Sequence, residues 1–233
     1  MRRLVLILLL LTSAAAVPAQ MLQDVRIVTA DDPPYVQAEN GRLQGGLVVA
    51  RLYRVLDKLG ISRSRIQVLP WSRALQEART RPGTLIFPIG RTAEREVLFD
   101  FPVKLANYPV YFFKLADGRE LRINSMDTAR LASVCVLAND YRQAFLQGAG
   151  FTRLELASDG LQNVNKFING RCDLIAPTEV GLYTKLQALG HGPSSVQRLL
   201  PLAGLDGSLY AAFAKGTPIA LVEAFRQAAA EDY

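Results

Sequence analysis

Short apolar runs alternate along the chain with stretches in which apolar positions recur every three or four residues. The first pattern is that of buried strands and the second that of amphipathic helices. Three apolar runs, 25–29, 66–69 and 85–89, lead the first half. The first is followed by the turn Gly45-Gly46 and a helix carrying Leu47, Ala50, Leu52, Val55, Leu56 and Leu59, which Gly60 ends. The second leads into a helix at 72–80, stopped by Pro82-Gly83. The third empties into a short helix with Thr92 as N-cap and Glu94 and Glu96 in its first turn, flanked by Arg91 and Arg95. After Pro109 the pattern restarts with strands at 110–115, 134–137, near Leu154 and at 174–176, and helices at 141–147, 161–168 and 180–189. A last strand, 208–214, and helix, 219–230, close the chain.

This alternation predicts an α/β fold with mostly parallel sheets. The last strand and helix are too little for a domain, so they are expected to pack back onto the first unit. Two lobes follow, 20–109 plus 208–233 and 110–207, joined by two crossings. The arrangement leaves a cleft between facing strand ends, where open α/β sheets bind ligands, and hinge closure over a bound solute follows from it. The free N–H groups at the start of the Thr92 helix, beside its arginines, are suited to an anionic group in that cleft.

Composition changes the picture mainly at the N-terminus. Arg2 and Arg3, an apolar run over 4–11 and small residues up to Ala19 read as a secretory signal peptide, cut after Ala19 or, as second choice, after Ala16. The run is too short to span a bilayer. Losing it would leave 25 basic residues against 21 acidic, a net charge of +4 in place of +6. Lysine and arginine are scattered and not interleaved with aromatics, which argues against nucleic-acid binding. Cys135 and Cys172 could pair in an oxidising compartment, but buried free thiols are the expected outcome, and their spacing is no metal motif. His191, the only histidine, sits among Gly190, Gly192 and Pro193 and reads as a loop residue. No cofactor and no metal are implied.

Four stretches carry a family likeness: Asp32-Pro33-Pro34-Tyr35 with Gly45-Gly46-Leu47; Pro70-Trp71-Ser72-Arg73-Ala74; Arg91-Thr92-Ala93-Glu94-Arg95-Glu96; and Gly170-Arg171-Cys172-Asp173-Leu174-Ile175-Ala176. In order and spacing the chain resembles extracellular solute-binding proteins of family 3, the amino-acid-type receptors of ABC importers, from about Val25 to Phe225. The resemblance implies a two-lobed, type II periplasmic-binding-protein-like fold that captures a small solute for a membrane permease. It implies that Arg95 pairs with the ligand's carboxylate, a role that bidentate guanidinium chemistry supports. Trp71 falls where the family sets an apolar wall, Arg73 shares its loop, and Tyr35 stands at one side of the cleft.

The departures bear on the ligand. Thr178 replaces the acid that holds an α-amino group in the family, with Glu179 next to it; Asn139 replaces a glycine, followed by Asp140; Gly90 replaces a small hydroxyl residue; and Ala50 replaces an acid. Glu179 or Asp140 could still serve an amine, or each could simply cap its helix. The chain also stops at Glu231-Asp232-Tyr233, short of the family's usual last helix, so a less stable first lobe is expected. The resulting expectation is a monomeric periplasmic binding protein for a carboxylate-bearing, amino-acid-like solute. An enzyme on the same scaffold, such as a dehydratase, and a sensor subunit reporting to a membrane partner are the alternatives.

Overall fold

The computed structural model describes residues 19–230. The expected signal peptide therefore lies, but for Ala19, outside the described residues, as do the final three positions. In chain order the first part carries α1 (Ala19–Gln23), β1 (Arg26–Thr29), β2 (Gln37–Glu39), β3 (Arg42–Gly45), α2 (Val49–Lys58), β4 (Ile66–Val68), α3 (Trp71–Thr80), β5 (Thr84–Gly90), α4 (Ala93–Glu96) and β6 (Phe99–Asn107). The second part carries β7 (Tyr111–Leu115), α5 (Met126–Arg130), β8 (Val134–Leu137), α6 (Tyr141–Gly148), β9 (Leu154–Ala157), α7 (Gly160–Ile168), β10 (Leu174–Ile175), α8 (Glu179–Ala188) and β11 (Val196–Pro201). The chain then returns as β12 (Ser208–Ala214) and α9 (Ile219–Ala230).

Two five-stranded sheets organise two lobes, in the orders β4-β1-β5-β12-β6 and β11-β7-β10-β8-β9. Strand periodicity of two splits each lobe's core between the faces of its sheet. In the first lobe Ile27, Leu85, Phe87, Ala211 and Phe213 point to one face with α2 and α9, whereas Val28, Ile86, Ile89 and Ala212 point to the other with α3. In the second, Phe112, Val134, Val136 and Leu174 face one side, and Phe113, Cys135 and Ile175 face the side covered by α7 and α8.

The sheets are mixed, where the sequence pattern predicts mostly parallel pairing. β4, β1 and β5 are parallel, but β12 runs antiparallel to both β5 and β6, and β7 antiparallel to β10 and β11. These exceptions follow from the crossings: a strand that comes back from the other lobe has no helix on its own sheet to reverse it. A second correction concerns the cysteines, expected to be free thiols. Cys135 and Cys172 form a disulfide with Cα atoms 5.7 Å apart. The parallel ladder of β10 on β8, with Leu174 beside Val134, carries the end of the preceding turn to Cys135.

Candidate functional site

The loops that leave the C-terminal ends of β1, β4, β5, β8, β9 and β10 converge from both lobes on one cavity of about 510 Å³. Its walls include Asp32, Tyr35, Trp71, Gly90 and Arg95 from the first lobe and Asp140, Tyr141, Arg142 and Thr178 from the second. Six of the eight residues singled out in the sequence thus meet in one place: Arg95, Trp71, Tyr35, Gly90, Asp140 and Thr178. Two do not. Arg73 is exposed on α3 and pairs with Glu77 one turn on, because the helix begins at Trp71 and turns its third residue outward. Glu179 lies on another face, where it pairs with Arg198 and accepts a hydrogen bond from Tyr183, beside an open groove that also includes His191.

Arg95 is the central cation. The cap expected at Thr92 is present: its hydroxyl accepts from the Arg95 backbone N–H at 3.2 Å, which starts α4 and turns the Arg95 side chain inward. Arg95 is buried, with 8% exposure. Its Nη1 donates to the Gly90 carbonyl at 2.8 Å and its Nη2 to the Asn139 carbonyl at 2.7 Å, and its guanidinium lies 5.7 Å from the Trp71 ring centre. No carboxylate among the described residues forms an ion pair with it. Burial accordingly pushes its pKa down, against the pull of the nearby Asp140. Arg91, by contrast, is exposed and paired with Glu96 at 2.6 Å.

The second lobe's groups are committed partly to one another and partly to the first lobe. Asp140 caps α6 through the Arg142 N–H at 2.9 Å, and both its oxygens hold the Arg142 guanidinium, at 2.6 and 3.1 Å. Burial alone would raise the Asp140 carboxyl; the Arg142 charge and its hydrogen bonds, then Arg95, hold it below the usual carboxylate range. Thr178 caps α8, accepting from Gly181 N–H at 3.1 Å, and its hydroxyl shares a hydrogen bond with the Tyr35 hydroxyl. Burial pushes Tyr35 up to about 12. Asn139 adopts φ 60°, which explains why glycine suits this turn and why asparagine is tolerated. Its carbonyl is thereby turned across the cleft to Arg95 and, at 3.4 Å, to Trp71 Nε1.

Three contributors were not foreseen: Tyr141, Arg142 and Lys185. Lys185 is buried on α8 and reaches the first lobe, donating to Asp32 Oδ1 at 2.8 Å and to the Pro33 carbonyl at 2.5 Å. A signal for it was present, since Lys185 stands in the apolar stripe of Leu182 and Leu186. Tyr141 and Arg142 begin a helix whose first residues line a strand end, but their types alone gave no direction.

No family model matches the chain, and no curated protein matches it. Solved structures do. A histidine kinase sensor domain with similarity to periplasmic binding proteins superposes with TM-score 0.73 at 16% identity, covering 90% of each chain. The substrate-binding protein of an amino acid ABC transporter gives 0.70 at 16%, over 89% of this chain and 92% of that one. An ancestral arginine-binding protein bound to arginine gives 0.70 at 16%, over 90% and 92%. At such identity the likeness establishes the fold, two-lobed and periplasmic-binding-protein-like with two crossings between the lobes.

Proposed function

We propose that this chain is an exported solute-binding protein that captures a small carboxylate-bearing, amino-acid-like solute between its lobes. Lobe one comprises 20–109 with 208–233, and lobe two 110–207. The observation that carries the reading is Arg95: a guanidinium with 8% exposure, at strand ends facing a second lobe, that lacks a carboxylate partner among the described residues. Such a buried cation is costly unless an anion completes it, and a planar carboxylate matches the donors it has left. Trp71 and Tyr35 supply apolar walls, while Gly90 and Thr178 flank the anion. Asp140 holds Arg142 in place instead of meeting an amine. Arg73 and Glu179 have no part in this version of the site.

The solute is delivered to the membrane permease of an ABC importer, and the protein works in the periplasm as a monomer after removal of its signal peptide. A sensing role is the second reading, favoured by the sensor-kinase domain among the structural neighbours. A binder is preferred to an enzyme because the buried carboxylate of the cleft, Asp140, is held low by Arg142 and is unsuited to general acid work.

A thermal-shift screen of amino acids and small carboxylic acids against the exported chain tests this. A solute at 100 times its dissociation constant adds about 2.7 kcal/mol of stability. That gain should vanish in Arg95→Ala. A hit that stabilises Arg95→Ala as much as the wild type would refute the carboxylate anchor.

A further inference from the structure

Three glycines line the seam between the lobes: Gly90, Gly160 and Gly181. None has a positive φ, so the backbone does not require glycine at these positions. Space does. A Cβ on Gly90 would lie 2.3 Å from Tyr141 Cγ and one on Gly181 2.8 Å from the Tyr35 hydroxyl, both across the cleft, whereas one on Gly160 would first meet Lys185 Cε of its own lobe at 2.5 Å and then Asp32 Oδ1 across the cleft at 3.1 Å. The Gly90 contact is the tightest of the three. With Cδ1 and Cδ2 at 2.5 and 2.8 Å from the same point, the Tyr141 ring presents its face to the glycine. Tyr141 is only 3% exposed and lines the cavity, and its hydroxyl makes no hydrogen bond among the described residues. Its ring is held by the fit against Gly90 and by the Arg142 guanidinium, which lies 5.2 Å from the ring centre.

Around this plug the lobes grip each other with their own polar groups. Arg95 and Trp71 donate to the Asn139 carbonyl, the Tyr35 hydroxyl meets Thr178, and Lys185 reaches Asp32 and the Pro33 carbonyl. Asn139 lies two residues before Tyr141, and Arg95 also donates to the Gly90 carbonyl, so this part of the grip sits beside the contact of Gly90 with Tyr141.

We infer that Tyr141 is a built-in occupant of the cleft. Seated against Gly90, its ring holds the lobes together without a solute, and as one wall of the cavity of about 510 Å³ it sets both the resting conformation and the size of solute admitted. This deepens the proposed binding role and shares its site. The closure itself is read without any solute, so it can fail while the carboxylate screen succeeds, and the reverse.

The chain has a single tryptophan, Trp71, at the cleft, which makes the test direct. The exported chain is stripped of co-purified molecules by unfolding and refolding with its disulfide intact. Acrylamide quenching of Trp71 and the maximum dimension from small-angle scattering are then read for the wild type, Tyr141→Phe, Tyr141→Ala and Gly90→Ala. Wild type and Tyr141→Phe should be compact and protected from quencher. Tyr141→Ala, which removes the plug, and Gly90→Ala, which collides with it from the opposite lobe, should each be extended and quenched severalfold more. The double variant Gly90→Ala/Tyr141→Ala should match Tyr141→Ala alone, since the added methyl then meets no ring. Because Gly90 and Tyr141 sit in different lobes, one variant still tests the contact if the other does not fold. A stripped wild type as open as Tyr141→Ala, or a Gly90→Ala variant as protected as wild type, would overturn the inference.

Discussion

Reduction of the Cys135–Cys172 bond should weaken the second lobe by a predictable amount. The bridge closes a loop with a sequence separation of 37 residues, containing α6, β9 and α7, within the sheet-and-helix core that Phe113, Phe167 and Leu182 also occupy. The entropy removed from the unfolded chain by a loop of that length corresponds to about 3.8 kcal/mol at 25 °C. Both cysteines are buried, so reduction leaves two thiols of nearly unchanged volume and opens little cavity. The loop term therefore dominates. Against a typical domain stability of about 5–15 kcal/mol this is a large fraction. Guanidinium unfolding followed by far-UV circular dichroism, with and without a strong reductant, measures it, and thiol titration of the unreduced chain should find no free cysteine. A reduced chain within about 1 kcal/mol of the oxidised one would refute the reasoning.

Three further outcomes are expected. Asp140 has a folded pKa below its ordinary 3.8, so it adds stability above that pH which is lost as pH falls through the folded value; Asp140→Asn should flatten the acid limb of a stability-against-pH curve. Thr84 buries its hydroxyl with no hydrogen-bond partner among the described residues, so Thr84→Val should leave stability unchanged or raise it by up to about 1 kcal/mol in denaturant titration. Lys185→Met strands Asp32 and the Pro33 carbonyl at the seam and should cost about 2 kcal/mol in the same assay, below the cost of a fully buried pair because Asp32 stays partly wetted.

The elements that were legible in the sequence are those with an unbroken hydrophobic period. The strand Ser208–Ala214 and the helix Ile219–Ala230 have the bounds the pattern predicts. The strands that escaped, β6 and β11, are both sheet edges and both contain proline, Pro102 and Pro201. An edge strand needs neither two apolar faces nor every N–H, so it carries a weak signal. The β2–β3 hairpin was announced by Asn40-Gly41, whose φ values of 51° and 71° are those a tight primed turn demands, but flanking residues half in solvent obscured it. In the site, the capped turn of Arg95 was legible because Thr92 and its glutamates state it locally. The misplacement of Glu179 has the opposite cause. Its helix starts at the cleft with Thr178, and one residue of rotation, about 100°, is enough to carry the neighbouring side chain to another face.

The position of β12 also dictates an order of assembly. This strand is made after the whole of the second sheet, yet it sits inside the first one, between β5 and β6. Until residues 208–214 arrive, β5 and β6 have no hydrogen-bonded neighbour on those sides, and Phe213 and Phe225, stacked edge to face at 4.9 Å, cannot fill the first core. The second sheet draws all its strands from one unbroken stretch, 111–201, and waits for nothing downstream. As the chain emerges, the later-encoded lobe can be complete while the earlier one is still an unfinished sheet with two open edges. The last strand then joins the two halves and finishes the first, and until it does so those edges are the molecule's most exposed sites for aggregation.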